Sequence, residues 1–127
     1  MNSILPAVAG LLCVADEILL VRRAEHLKAF PGYWACPGGK VEKNEGVLPP
    51  RQAYCGHDLV KLSALRRELI EELAFDLNEV ECEIYELGTA TTPPGQPRRF
   101  ETHFFRINLH QRPRLKLDAA ELDQARW

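Results

Sequence analysis

No stretch of this chain holds the roughly 18 consecutive apolar side chains that a membrane-spanning helix requires. No Cys-x-x-Cys pair occurs either. Cys13, Cys36, Cys55 and Cys82 stand singly, which excludes the spacing of zinc and thiol-redox sites and predicts free thiols in a reducing compartment, the cytoplasm. There is little excess charge: 16 basic against 18 acidic side chains leave −2, with no basic surplus for general nucleic-acid binding or an anionic membrane. The opening Met1-Asn2-Ser3-Ile4-Leu5-Pro6 lacks a basic leader region, and its apolar continuation predicts a strand rather than a signal peptide. With 46% hydrophobic and 27% charged residues the chain is not disordered. What remains is one domain, residues 1–127, able to bury roughly two-thirds of its unfolded surface without staples.

Apolar runs at 7–14 and 17–21, split by Ala15-Asp16, predict two strands of a hairpin or meander. A loop follows, punctuated by Pro31-Gly32 and Pro37-Gly38-Gly39, with a short extended segment at 33–36. Residues 46–57 contain two adjacent prolines and a glycine and predict another loop. Asp58 is then placed to cap a helix running to about Ala74, with Leu59, Leu62, Leu65, Leu69 and Leu73 recurring at helical spacing toward the core. Strands are predicted at 80–87 and 100–109, and the tail from Asp118 to Trp127 is mixed in signal. The order of elements is an α/β or α+β pattern, silent about function.

The informative stretch is Arg67-Glu68-Leu69-Ile70-Glu71-Glu72. Residues three or four apart share a helix face, so Glu68, Glu71 and Glu72 project together beside a leucine stripe. The plain alternative is a solvated acidic face balanced by Arg66 and Arg67. Dense carboxylates also suit hard divalent cations, Mg²⁺ or Mn²⁺. Gly38-Gly39 and Glu45 upstream favour the metal reading, since a solvated acidic helix leaves them unexplained. His57, His103 and His110 show no ligand spacing and are read as surface or packing residues.

The segment Gly39-x5-Glu45, followed by Arg67-Glu68-Leu69-x-Glu71-Glu72-x-Ala74-Phe75, resembles the box of the Nudix (MutT-like) hydrolases. The approach through Leu19-Leu20-Val21-Arg22-Arg23-Ala24, Pro31-Gly32-Tyr33-Trp34 and Pro37-Gly38-Gly39 is also similar, so the resemblance covers roughly residues 7 to 75. Two departures stand out. Twenty-one residues separate Glu45 from Arg67 where the family has seven, a 14-residue insertion placed at 46–59 that a surface loop can absorb at modest entropic cost. Ala74 replaces the box's last glycine. Similar insertions and a partial coenzyme A signature around Leu19 to Gly39 resemble the peroxisomal coenzyme A diphosphatases.

The resemblance implies an α/β/α sandwich around a mixed β-sheet and an Mg²⁺- or Mn²⁺-dependent pyrophosphohydrolase. Its substrate would be a nucleoside diphosphate linked to another moiety: coenzyme A or acyl-coenzyme A, ADP-ribose or NADH. Carried over by position, Gly39, Glu68, Glu71 and Glu72 would hold metal, Glu45 would ligate or support, and Arg67 would orient a glutamate. Glu68 and the downstream Glu121 are the candidate general bases. Arg22, Arg23, Arg98 and Arg99 would grip phosphates, and Trp34 or Phe100 would stack on a base. The alternative is a catalytically inactive or truncated Nudix-fold module that binds or senses a nucleotide; four retained glutamates argue for the enzyme. Family members usually continue beyond the position of Trp127 into a covering helix, so the resemblance also predicts either a longer gene product or a homodimer.

Overall fold

In a computed structural model that describes residues 3–53 and 56–127, the first apolar run becomes β1 (Ile4–Val14), the spine of a mixed sheet. On one side β1 runs parallel to β7 (Arg99–Leu109), from Ile4 opposite Arg99 to Val14 opposite Leu109, and β7 pairs antiparallel with β6 (Cys82–Thr91). On the other side β1 pairs antiparallel with two short strands, β2 (Glu17–Ile18) and β5 (Gly38–Lys40). A second, smaller sheet has the order β4 (Trp34–Ala35), β3 (Leu20–Arg23), β8 (Leu122–Arg126).

The expected single strand over 17–21 is broken at Leu19. That side chain is fully buried and its N–H bonds to Leu12 O at 3.0 Å, after which the chain leaves the large sheet for the small one. Both hydrophobic runs were legible, but the change of sheet between them has no local signature. Strand β8 takes up the tail whose pattern was mixed.

The predicted helix is α1 (Leu59–Leu73), capped at Asp58, whose side chain accepts from Lys61 N at 3.1 Å. It lies across β1 and β5. Val8, Gly10 and Leu12 alternate toward it, and a Cβ on Gly10 would stand 3.3 Å from the Leu65 side chain, so the glycine permits the close approach. Leu62, Leu65, Leu69 and Leu73 are fully buried against Phe105, Ile107, Leu19, Val21 and Leu122. Each such leucine contributes roughly 1.5–3 kcal/mol of burial. Leu59, expected with them, sits in the first turn and is only half-buried. The helix ends at Ala74, left-handed at φ 54, ψ 36, with Ala74 N–H on Ile70 O and Phe75 N–H on Leu69 O.

The class is therefore α+β: a mixed sheet with one helical layer among the described residues. Cys13, Cys36 and Cys82 are free thiols, while Cys55 lies outside the described residues. Among the described residues no helix is long and apolar enough to cross a membrane.

The insertion does not hang free. Pro50 is buried, Arg51 N donates to Asn78 Oδ1 at 2.7 Å, and Gln52 Nε2 donates to Leu77 O and Val80 O. Arg66 forks onto both oxygens of Asp76 and also donates to Leu48 O at 3.1 Å. At its end, Asp58 N donates to Glu86, which lies 3.8 Å from His103 Nε2. His103 itself stacks on Phe105 and receives Lys61 at Nδ1, so it packs the start of the helix, as expected of a packing histidine.

Candidate active site

β5 is pressed between β1 and the middle of α1 at two glycines. A Cβ on Gly38 would fall 2.0 Å from Val8 O, and one on Gly39 would fall 2.4 Å from the carboxyl carbon of Glu68. The Glu68 carboxylate occupies the space a side chain at position 39 would take, so any larger residue there would have to push that carboxylate aside. One turn further, Glu72 is 8% exposed, and its Oε1 is buried with no hydrogen-bond partner. Burial, then the charges of Glu68 and Glu121, push its carboxyl up to about 8, against the Gly38 N–H and the Arg23 cation, which favour the ionised form. Glu68 is also raised, by burial first, with Arg67 opposing and Glu71 and Glu121 adding repulsion.

Glu45 is in the opposite condition. Its side chain is 5% exposed, yet both oxygens are satisfied, by Arg67 Nε and Nη2 at 2.9 Å each and by Glu42 N at 3.1 Å. These bonds hold its carboxyl below the ordinary range. Arg67 spends all five donors: two on Glu45, one each on Glu68 Oε1, Glu71 Oε2 and Lys40 O. None is left for a ligand. Glu71 is half-exposed and shares Arg67 Nη1 with Glu68, that nitrogen lying 2.9 Å from Glu68 Oε1 and 3.2 Å from Glu71 Oε2.

Glu121 arrives from far along the sequence. Lys116 N donates to Leu73 O and Asp118 N to Glu72 O, both at 2.9 Å, so the segment ahead of β8 caps the last turn of α1 and brings Glu121 within electrostatic reach of Glu68 and Glu72. Adjacent residues on a strand face opposite ways. Accordingly Arg23 stands near Glu72 with Nε on Ala29 O, while Arg22 is taken up by Asp123 and Glu25. That alternation was a usable signal in the sequence. Arg99 pairs with Ile4, four residues from the His103–Val8–Gly39 level, or roughly 13 Å along the strands. Arg98 and Arg99 are thus not brought to the glutamates. Trp34 lies on the small sheet under the Arg126 guanidinium, 5.3 Å from its ring centroid. An apolar concavity is lined by Leu11, Cys36, Leu87, Gly88, Thr89 and Phe104; Leu11 and Phe104 alternate with Gly10 and Phe105, so it lies on the face of the mixed sheet turned away from α1.

Over residues 4–53 the chain matches the NUDIX domain, the match stopping inside the insertion. It is 31% identical over 133 residues to the m7GpppN-mRNA hydrolase NUDT17 of Danio rerio, an alignment covering 94% of this chain. The fold agrees with a NUDIX hydrolase from Alicyclobacillus acidocaldarius at a TM-score of 0.76 and 24% identity, over 98% of this chain and 78% of that one. The chain belongs to the Nudix family. Its Nudix fold also matches the NUDIX domain of Shewanella oneidensis NrtR, complexed with ADP ribose, at a TM-score of 0.67 and 20% identity, covering 100% of this chain and 73% of that chain. The chain spans only 40% of the length of the Danio rerio relative.

Nudix proteins generally use divalent cations. Among the described residues no three His, Cys, Asp or Glu side chains close on a point as a cage. Magnesium does not demand one, because it is commonly bound by one or two carboxylates plus waters and substrate phosphates. Glu72, buried, and Glu68, mostly buried, are mutually repelling and partly unpartnered oxygen donors, and they fit a hard cation.

Proposed function

We propose that this Nudix domain hydrolyses the phosphoanhydride of a nucleoside polyphosphate joined to a second moiety, with Mg²⁺ or Mn²⁺ held by Glu68, Glu72 and the backbone of Gly39. The observation that carries this reading is the buried, unpartnered Oε1 of Glu72 beside the Glu68 carboxylate that fills the Gly39 cradle. A carboxylate kept dry among like charges is costly unless something positive completes it. The bound cation would supply neutralisation of the phosphate oxygens and a more acidic water.

The chain's own residues do the rest. Arg67, neutralised by Glu45, fixes the Glu68 carboxylate from behind. Arg23, whose charge reaches Glu72, offers a cation toward a phosphate. Glu121, exposed and not committed to an arginine, accepts the proton of the attacking water, with Glu68 as the other candidate base.

Three substrate chemistries share the required bond: a 5′ cap of the m7GpppN type, as in the name of the NUDT17 relative; ADP-ribose, the ligand of the NrtR domain; and coenzyme A. The cap-like dinucleotide is favoured, because the NUDT17 relative is the more similar in sequence, 31% identical over 94% of this chain against 20% for the NrtR domain. A reducing cytoplasm suits the free thiols.

Nucleotide release would be measured with and without Mg²⁺ on m7GpppN dinucleotide, ADP-ribose, NADH and coenzyme A, with Glu72→Gln alongside. Metal-dependent release that the variant loses is the expected result. Tight nucleotide binding with no release on any substrate would replace the enzyme by a binding module.

A further inference from the structure

The turn that carries Glu121 is held from two sides. On the inner side it is tied to α1 by Asp118 N on Glu72 O and closed on itself by Asp118, whose carbonyl accepts from Glu121 N and Leu122 N at 2.9 Å and whose Oδ1 accepts from Ala120 N at 3.1 Å. On the outer side it meets the loop that follows β3. Ala24 N donates to Glu121 O at 2.9 Å, and His26 Nε2 lies 2.8 Å from Ala120 O. Arg22 bridges the same two pieces of chain, bonding Glu25 in the loop and, at 2.6 Å, Asp123 at the start of β8. Residues 22–26 therefore form a clasp across residues 120–123, and neither Arg22 nor His26 faces the glutamates.

Such a clasp has physical work to do. Glu121 stands near two carboxylates, Glu68 and Glu72, and the three repel one another. An exposed turn free to move would relieve that repulsion by swinging its carboxylate outward. We propose that Arg22 and His26 are positioning residues that hold the Glu121 carboxylate against the Glu68–Glu72 pair. The inference rests on the hydrolase reading above and assigns Arg22 to the scaffold instead of to a phosphate. A backbone carbonyl only accepts, so the requirement on His26 is one N–H donor at the Nε2 position, which a glutamine amide can supply.

The test uses the full chain with His26→Ala, His26→Gln, Arg22→Ala and Glu121→Gln, singly and with Glu121→Gln combined with His26→Ala. In the metal-free protein, amide exchange at Glu121 and Leu122 is expected to quicken about tenfold in His26→Ala, the loss of one hydrogen bond, with recovery in His26→Gln and no change in the middle of α1. Unchanged exchange overturns the clasp. With Mg²⁺ and substrate, His26→Ala is expected to lower kcat about tenfold at constant KM, and to lower it no further once Glu121 is already glutamine. Equal losses in both backgrounds would make the contact merely structural and also overturn the proposal. Manganese affinity, read by calorimetry on the same set, separates the two readings. A parent that turns nothing over but whose Mn²⁺ affinity falls non-additively in these variants loses the hydrolase reading and keeps the clasp. A parent with normal turnover whose His26 and Arg22 variants behave like the parent keeps the hydrolase and loses the clasp.

Discussion

Two groups of carboxylates sit on adjoining sides of one helix and are treated in opposite ways. On the outer side Glu45 and Glu71 are matched by Arg67, and Asp76 by Arg66, so that Glu45 and Asp76 are held below the ordinary carboxylate range. On the inner side Glu68 and Glu72 are buried with too little positive charge, and both are raised. Glu71 of the outer group and Glu68 and Glu72 of the inner one come from the same short stretch of sequence, where they look alike. The difference shows that the outer pairs belong to the scaffold, while the inner pair carries an electrostatic deficit that folding alone does not repay.

The sharpest way to break that contrast is to neutralise each side in turn. Glu72→Gln removes a proposed metal ligand and should lower Mg²⁺-dependent turnover by about 10³-fold or more, several kcal/mol of transition-state stabilisation. The same variant should raise the metal-free thermal midpoint at pH 8, since it deletes a buried charge. A drop in both quantities would assign Glu72 to the scaffold. Arg67→Ala should do the reverse to stability: it strands the buried Glu45 carboxylate and should cost about 3 kcal/mol in a urea titration. Arg67→Lys should recover only part, because an ammonium cannot fork across both Glu45 oxygens as the guanidinium does.

A pH series on the metal-free protein tests both sides at once. Glu72 is raised from 4.5 to about 8, so the folded state holds a proton that the unfolded chain releases in between; its contribution is complete below about 4.5 and is lost as pH rises through 8. Glu45 and Asp76 are lowered, so their contributions are present above the unfolded values of 4.5 and 3.8 and disappear as pH falls through the folded ones. Metal-free stability should therefore peak near pH 5, with an alkaline decline on the order of 2 kcal/mol that millimolar Mg²⁺ abolishes. A flat alkaline limb without metal would remove the deficit assigned to Glu72.

How far the sequence foretold this site follows the range of the interactions. The helix, its Asp58 cap and the pairing of Arg67 with Glu68 and Glu71 are local, and their residue types announce them. Spacing also brought Gly39 and Glu68 forward through the family resemblance, although only the packing shows that the Glu68 carboxylate fills the space beside position 39. Glu71 was grouped with Glu68 and Glu72 by helical spacing; it does share Arg67 Nη1 with Glu68, and only the packing shows that it is the most exposed of the three. What stayed illegible depends on distant partners. The sheet change at Leu19, the anchoring of the insertion through Arg66 and Gln52, and the capping of α1 by residues 116–118 are all of this kind. No local pattern says which carbonyl a remote N–H will meet.

The smallest expected effect is also the most local, and it separates scaffold from site most cleanly. Ala74 occupies a left-handed conformation, φ 54, that an L side chain pays to adopt and that glycine reaches freely. Its N–H bond to Ile70 O and the Phe75 bond to Leu69 O involve only backbone, so Ala74→Gly keeps both. The substitution should stabilise the protein by about 1 kcal/mol, partly offset by the greater freedom of glycine in the unfolded chain. Ala74 is exposed, and its side chain touches none of the proposed donors, so kcat/KM should stay within about twofold of the parent. A gain in turnover alongside the gain in stability would mean that the strained helix end transmits to Glu72, two residues upstream, and that the outer scaffold and the inner deficit are coupled after all.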